Sequence, residues 1–234
     1  MTNPIESILL LAFDGVGEQD LLAPWELLRA VAYARSQRGQ RLDVVLGSLD
    51  GGTITTHSGL RIESQRRVAP SDRFDLIYIP GGVGAGALST NPRALALVRD
   101  HYAERRWVAA NCAGLGVLHR AGVLEGIEVT APATLARRLP AEGTRVASPR
   151  RAWRIEPTHK IFTAAGAATV HSGTIALVAQ LFGEAEARAL AADWDSLPYH
   201  GEELFSSEGP ALLDRPEVAG KLQDAWENVF LPAA

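Results

Sequence analysis

The only cysteine of the 234-residue chain, Cys112, stands in the run Trp107-Val-Ala-Ala-Asn-Cys-Ala-Gly-Leu-Gly-Val-Leu118. The apolar residues before it read as a buried strand that stops at Asn111, and Gly114 then admits the chain into a helix. A side chain at such a strand–turn–helix apex sits at the carboxyl edge of a sheet, where open α/β folds bind ligands. The same turn is the nucleophile elbow of serine hydrolases, here with a thiol at the apex. The amino end of the following helix is expected to lower the thiol pKa and favour the thiolate. The opposing reading is an inert thiol, because unpaired cysteines are among the most buried side chains.

Two further loops carry groups that could act on the same substrate. Pro80-Gly-Gly-Val-Gly84 ends another apolar strand, and glycines there let backbone N–H groups approach an anion or a developing oxyanion. Gly81, Gly82 and Val83, with the amide of Ala113, are the candidate donors; an ordinary tight turn would use the same residues. Gly82-Val-Gly-Ala-Gly-Ala87 also matches the dinucleotide fingerprint, but no acidic residue ends the next strand, so no such cofactor is expected. Gly15-Val-Gly-Glu-Gln-Asp-Leu-Leu-Ala-Pro-Trp-Glu26 supplies two acids, Glu18 and Asp20. Either could hold the thiol or move a proton, and Asp20 could equally be a helix N-cap.

Histidine is the usual partner of a nucleophilic cysteine. Of the six, His101 and His119 fall on helices away from the expected edge and read as surface residues. His171 and His200 could line the pocket, while His57 and His159 have no assigned part. No His-x-Glu, His-x-Asp or close His pair occurs, so neither a Cys–His–acid triad nor a metal site is expected.

The elements that must position these loops alternate short β-type runs with helical patterns, the signature of an α/β fold around a largely parallel sheet. Strands are expected at 8–13, 42–46, 74–80, 107–111, 127–129, 153–155 and 161–164, with another near Val146. Helices are expected at 20–35, 92–105, 114–121, 133–139, 169–182, 184–193 and 216–228. Pro24 is placed in the first turn of its helix, where a missing N–H costs little. Residues 53–62, rich in β-branched side chains and broken by Ser58-Gly59, read as a hairpin on the sheet's edge. The division is one domain, 1–195, with a tail, 196–234, packed on it.

A composition of 47% hydrophobic and 21% charged residues with a net charge of −4 suits a globular chain. One cysteine excludes an intrachain disulfide and a thiolate metal cage. The absence of a basic run argues against a nucleic-acid partner. No segment approaches the ~18 consecutive apolar residues of a membrane span, and Met1–Glu6 lacks the positive start of a signal peptide. A cytoplasmic protein without membrane association is the expectation.

Taken together, the acidic loop after the first strand, the Pro-Gly-Gly turn, and the cysteine elbow followed by Ala121-Gly-Val-Leu-Glu-Gly126 resemble the DJ-1/PfpI superfamily over about 7–182. Asp20-Leu-Leu-Ala-Pro-Trp-Glu26 is similar to the Asp-Leu-x-Gly-Pro-x-Glu segment of isonitrile hydratases, which selects Asp20 as the acid. The resemblance implies a flavodoxin-like, class I glutamine amidotransferase-like three-layer sandwich, a homodimer, and no cofactor. It further implies that Cys112 attacks the isonitrile carbon to give a thioimidate, with Asp20 moving the proton. Two positions depart from the hydratases: Ala113 stands where they commonly have Thr, and Thr130-Ala-Pro132 where they often carry Thr-His-Trp. Trp194, Tyr199 and His200 fall in a segment that covers the site in those relatives. The same Cys–acid pair in other relatives would imply glyoxalase III or deglycase-like action on α-oxoaldehydes, or a non-catalytic redox sensor or ligand-binding dimer.

Overall fold

Residues 4–194 and 201–233 are described by a computed structural model. Strand β1 (Ser7–Ala12) runs between β2 (Asp43–Ser48) and β6 (Leu76–Ile79), parallel to both. Ile8, Leu9, Leu10 and Leu11 have no exposed surface. A strand apolar on both faces needs helices on both faces, and the chain supplies them. On one side lie α1 (Glu18–Ser36), α6 (Ala167–Phe182) and α7 (Glu184–Asp193), packed on Ile8, Leu10 and Tyr78. On the other lie α2 (Ala85–Leu88), α3 (Pro92–Ala103) and α4 (Leu115–Arg120), packed on Leu9, Leu11 and Ile79. Burying each Leu or Ile of these layers is worth about 1.5–3 kcal/mol.

The sheet continues through β7 (Trp107–Asn111), β11 (Ile161–Ala164) and the antiparallel β10 (Trp153–Glu156), and closes beyond β2 with the short β5 (Arg66–Arg67). Its order is β10-β11-β7-β6-β1-β2-β5. All pairings but β10–β11 are parallel. This mostly parallel sheet between two helical layers is the α/β, flavodoxin-like sandwich expected. β1, β6 and β7 are neighbours, so the loops that follow them meet at one carboxyl edge.

Four local expectations are corrected. The hairpin β3 (Thr53–Thr55) and β4 (Arg61–Glu63) forms its own two-stranded sheet and does not extend the central one. Gly51 and Gly52, both at positive φ, turn the chain away. The hairpin bonds instead to the loop after β1, through Gly15 N–H to Thr55 O (2.8 Å) and His57 N–H to Val16 O (2.8 Å). Helix α1 starts at Glu18, so Pro24 lies in its second turn rather than its first. The expected helix at 133–139 is a 3₁₀ turn, Ala133–Leu135, and a separate α5 (Arg138–Ala141). His101 is fully buried. Its Nε2 accepts from Phe74 N–H (3.1 Å) and its Nδ1 meets Leu97 O (2.8 Å), so the ring cross-links α3 to the start of β6. His119 is half-buried and pairs with Glu142 and Thr144.

The small parallel pair β8 (Glu128–Val129) and β9 (Arg145–Val146) stands apart from the sheet. Residues 201–233 lie against the body of the fold. Leu204 and Leu231 are fully buried, and Gly209 N–H donates to Trp153 O at 3.0 Å. Helix α8 (Pro216–Phe230) reaches α5 and the preceding turn through Arg137–Glu227 and Arg138–Asn228 contacts. Among the described residues no helix is long and apolar enough to cross a membrane.

Candidate active site

β7 ends at Asn111 in extended conformation, residues 112–114 make one 3₁₀ turn, and α4 follows. Cys112 at the apex has φ 46°. A non-glycine residue in the left-handed region costs roughly 1–2 kcal/mol. That conformation is the nucleophile elbow.

Gly81 lies directly against this apex. A Cβ at Gly81 would come within 2.6 Å of Cys112 Cβ and 3.0 Å of Asp20 Oδ2, so any side chain there would stand between acid and thiol. At Gly82, φ is 118°, and a Cβ would fall 2.2 Å from the backbone nitrogen of Gly17. Only glycine fits that bridge between the β6 loop and the β1 loop. The backbone amides of Gly82 and Ala113 lie close enough to the Cys112 sulfur to favour its thiolate form. The Gly81 N–H is already engaged, donating to Asn111 Oδ1 at 2.9 Å, so it is not available as a substrate donor. Val83 is half-buried beside Gly15.

The two candidate acids separate cleanly. Glu18 turns away, accepting from the Thr56 hydroxyl, from Ser58 N–H (2.8 Å) and from the Ser58 hydroxyl (3.2 Å). The Thr56 bond foremost holds its pKa down at about 2. Glu18 thus fastens the hairpin to α1 and does not face the thiol. Asp20, on the same turn of α1, is 5% exposed and points inward. It is not an N-cap; Gly17 occupies that position. Burial pushes its pKa up to about 7.

The thiol pKa is likewise raised, to about 12, by burial first and by the Asp20 charge second; the Ala113 and Gly82 amides offset part of this. The expectation of a helix-stabilised thiolate is therefore overturned. Cys112 retains some exposed surface, but it is hemmed by backbone and by a carboxyl group, and α4, six residues long, offers little countering field.

Asn111 escaped the sequence reading. Its side chain has no exposed surface and ties the three loops together. Oδ1 takes the Gly81 N–H, while Nδ2 donates to Asp20 Oδ1 (3.0 Å) and to the Asp20 carbonyl (3.2 Å). The last bond has a clear cause. In α1 the Asp20 carbonyl should accept from the residue four positions on, which is Pro24 and has no N–H. Asn111 supplies the missing donor. A polar residue closing an otherwise apolar strand, one position before the elbow, was the available signal. The Tyr78 hydroxyl is buried in the same layer, near Thr174 and in the field of Asp20, and both burial and that charge raise its pKa.

His171 is half-buried in the second turn of α6, the helix that leaves the carboxyl edge next to β7. Trp194 caps α7 and packs half-buried on the α1/α6 layer. Tyr199 and His200 lie outside the described residues. Among the described residues no three His, Cys, Asp or Glu side chains gather in a group that could hold a metal ion.

A model of the DJ-1/PfpI family matches residues 6–180. The chain belongs to the DJ-1/PfpI family. Among characterised relatives, isonitrile hydratase of Pseudomonas putida is 29% identical over 120 residues, 51% of this chain and 49% of the relative. A deglycase of Thermococcus kodakarensis is 25% identical over 130 residues, 55% of this chain and 73% of the relative. The DJ-1 homolog A of Arabidopsis thaliana is 29% identical over 215 residues, 87% of this chain and 53% of the relative. The match to the hydratase thus spans about half of that protein's length. Among solved structures, Drosophila melanogaster DJ-1beta superposes with a TM-score of 0.71 at 21% identity, covering 81% of this chain and 97% of that one. At that identity the likeness speaks to the fold.

Proposed function

We propose that the chain is a cofactor-independent, cysteine-dependent hydratase that converts an isonitrile and water to an N-substituted formamide. The observation that carries the reading is a buried carboxyl group with a pKa near 7 beside a thiol that stays protonated, with two amides close to the sulfur. An isonitrile carbon is both basic and, once protonated, electrophilic, so it suits an acid and a neutral thiol better than it needs a preformed thiolate. Asp20 gives its proton to the terminal carbon. The sulfur of Cys112 bonds to that carbon, and its proton passes to the Asp20 carboxylate, leaving a thioimidate. In the second half Asp20 protonates the thioimidate nitrogen and its carboxylate takes a proton from attacking water. The carbon–sulfur bond then breaks, the formamide leaves and the thiol regains its proton. The Gly82 and Ala113 amides hold negative charge that develops on sulfur or oxygen. Asn111 is the positioning residue: by donating to Oδ1 it leaves Oδ2, the oxygen that lies against Gly81, to carry the mobile proton.

A second reading, deglycase-like action on α-oxoaldehydes, is supported by the Thermococcus relative, of which this chain covers the larger share. Cyclohexyl isocyanide and methylglyoxal separate the two. N-cyclohexylformamide formed by the wild type, and lost in Cys112→Ala and Asp20→Asn, supports the hydratase. Lactate from methylglyoxal supports the second reading. Turnover of neither, with a peroxide-dependent gain of mass at Cys112, would turn the assignment toward a redox sensor. Full isonitrile hydration by Cys112→Ala would end the mechanism. A site of this kind serves a small-molecule substrate, and we assign the chain a homodimeric, cytoplasmic state on the same family reasoning.

A further inference from the structure

At the opposite pole of the sheet from Cys112, the turns that lead into β7 and β11 enclose a cavity of about 300 Å³. Arg105, His159 and Lys160 line it, together with Tyr102 and Thr158. Two cationic residues, a histidine and two hydroxyl-bearing residues thus border one hollow that no acidic residue lines. This is unusual for a chain with net charge −4, and unusual within this structure. Elsewhere the arginines are mostly paired. A second basic hollow, bordered by Arg66, Arg67 and Arg93, has an acidic residue, Asp72, in its own lining, and two of its arginines are paired, Arg66–Asp72 (2.9 Å) and Arg93–Asp50 (2.7 Å). Around the first cavity the nearby acids are committed elsewhere: Glu104 to Arg73 and Arg106, Glu156 to Arg154.

The backbone adds a second observation. Arg105 and Lys160 are, with Cys112, the non-glycine residues at positive φ among those described, each at 55°. Arg105 closes α3 in a Schellman arrangement, its N–H bonded to Tyr102 O and that of Arg106 to His101 O. That position ordinarily takes glycine. Lys160 ends the β10–β11 turn, where its N–H returns to Pro157 O. At both places the residue that relieves strain is absent and a long cation stands instead, bordering the same hollow. Lys160 also borders an adjoining hollow of about 260 Å³ walled by Ile5, Trp107, Pro157, Gln180 and Leu181.

We infer that this cavity is an anion site for a phosphate monoester: the cations and hydroxyls hold the phosphate, and Ile5, Trp107 and Leu181 of the adjoining hollow meet part of its organic body. A dianion matches several cations around one cavity better than a single carboxylate does. The site lies the length of β7, about 16 Å, from Cys112, so it is independent of the proposed hydratase chemistry.

Calorimetric titration of the full chain with phenyl phosphate and with inorganic phosphate, at ionic strength matched by sodium chloride, tests it. One site is expected, tighter for phenyl phosphate, with amide NMR shifts concentrated at 102–106 and 158–161. Arg105→Gly and Lys160→Gly are each expected to weaken binding about tenfold, the worth of a charged hydrogen bond. Because glycine relieves the left-handed strain, the unliganded variants should melt no lower than wild type. The inference is overturned by equal binding in the double variant, by shifts centred on Gly82 and Ala113, or by no heat beyond that of sodium chloride.

Discussion

Replacing Asn111 with Leu keeps the number and branching of the side-chain heavy atoms and deletes its three hydrogen bonds. Gly81 N–H, the Asp20 carbonyl and Asp20 Oδ1 are left without the partner they have now, at 2.9, 3.2 and 3.0 Å. An unsatisfied buried polar group costs about 1–3 kcal/mol. Asp20 can recover part by remaining protonated, so the sum falls near 3–5 kcal/mol. For a domain of this size that lowers Tm by about 6–20 °C. Asn111→Asp is the informative companion. It still accepts from Gly81 but places a second carboxyl group on Asp20, so at pH 5 it should be milder than Asn111→Leu and should lose stability as pH rises to 8. Urea unfolding of both variants at the two pH values measures this. In isonitrile turnover, both variants should shift the pH profile as well as the rate, which a purely structural residue would not do. The bridging role is refuted if Asn111→Leu is within 0.5 kcal/mol of wild type and the profile does not move.

Asp20 carries a stability signature of its own. Its folded pKa, about 7, lies above the ordinary 3.8, so between these values the folded chain holds a proton that the unfolded chain has released. The stability that Asp20 contributes is therefore fully present below about pH 4 and is lost as pH rises to about 7, an amount on the order of 4 kcal/mol; Asp20→Asn should remove this part of the slope in chemical denaturation. Cys112 should react with iodoacetamide at pH 7.5 far more slowly than a free thiol of pKa about 8.5, and Asp20→Asn should speed it severalfold. Alkylation of the wild type at the rate of a free thiol would show that the thiol is not held protonated. Gly82→Ala, forced into φ 118° and against the Gly17 backbone, should cost about 2–4 kcal/mol and abolish turnover; a folded, active variant would show that the loop can yield.

The fold was legible because burial leaves a simple mark. A strand covered on both faces must be apolar throughout, and 8–13, 76–80 and 107–110 read that way. The elbow was legible because glycine is needed beside it. What could not be read was the direction of each polar side chain within those loops. Glu18 and Asp20 are two residues apart on one helical turn, and spacing leaves both as candidates. Only the hairpin, folded back onto the β1 loop, draws Glu18 to Thr56 and Ser58 and leaves Asp20 facing inward. His101 likewise reads as an exposed helical residue until α3 packs on the start of β6.

The sequence by itself determined a parallel α/β sheet and a lone cysteine at the end of one of its strands, because hydrophobic periodicity and glycine placement act locally. The tertiary structure decided the protonation. A helix end nearby suggested a thiolate, but pKa follows the whole surroundings. Burial and a facing carboxyl group, assembled from β1, β6 and β7 loops distant in the chain, outweigh the pull of two amides. The same assembly explains Pro24 and Asn111 together. A proline removes a donor inside α1, and a residue 91 positions away in the chain restores it.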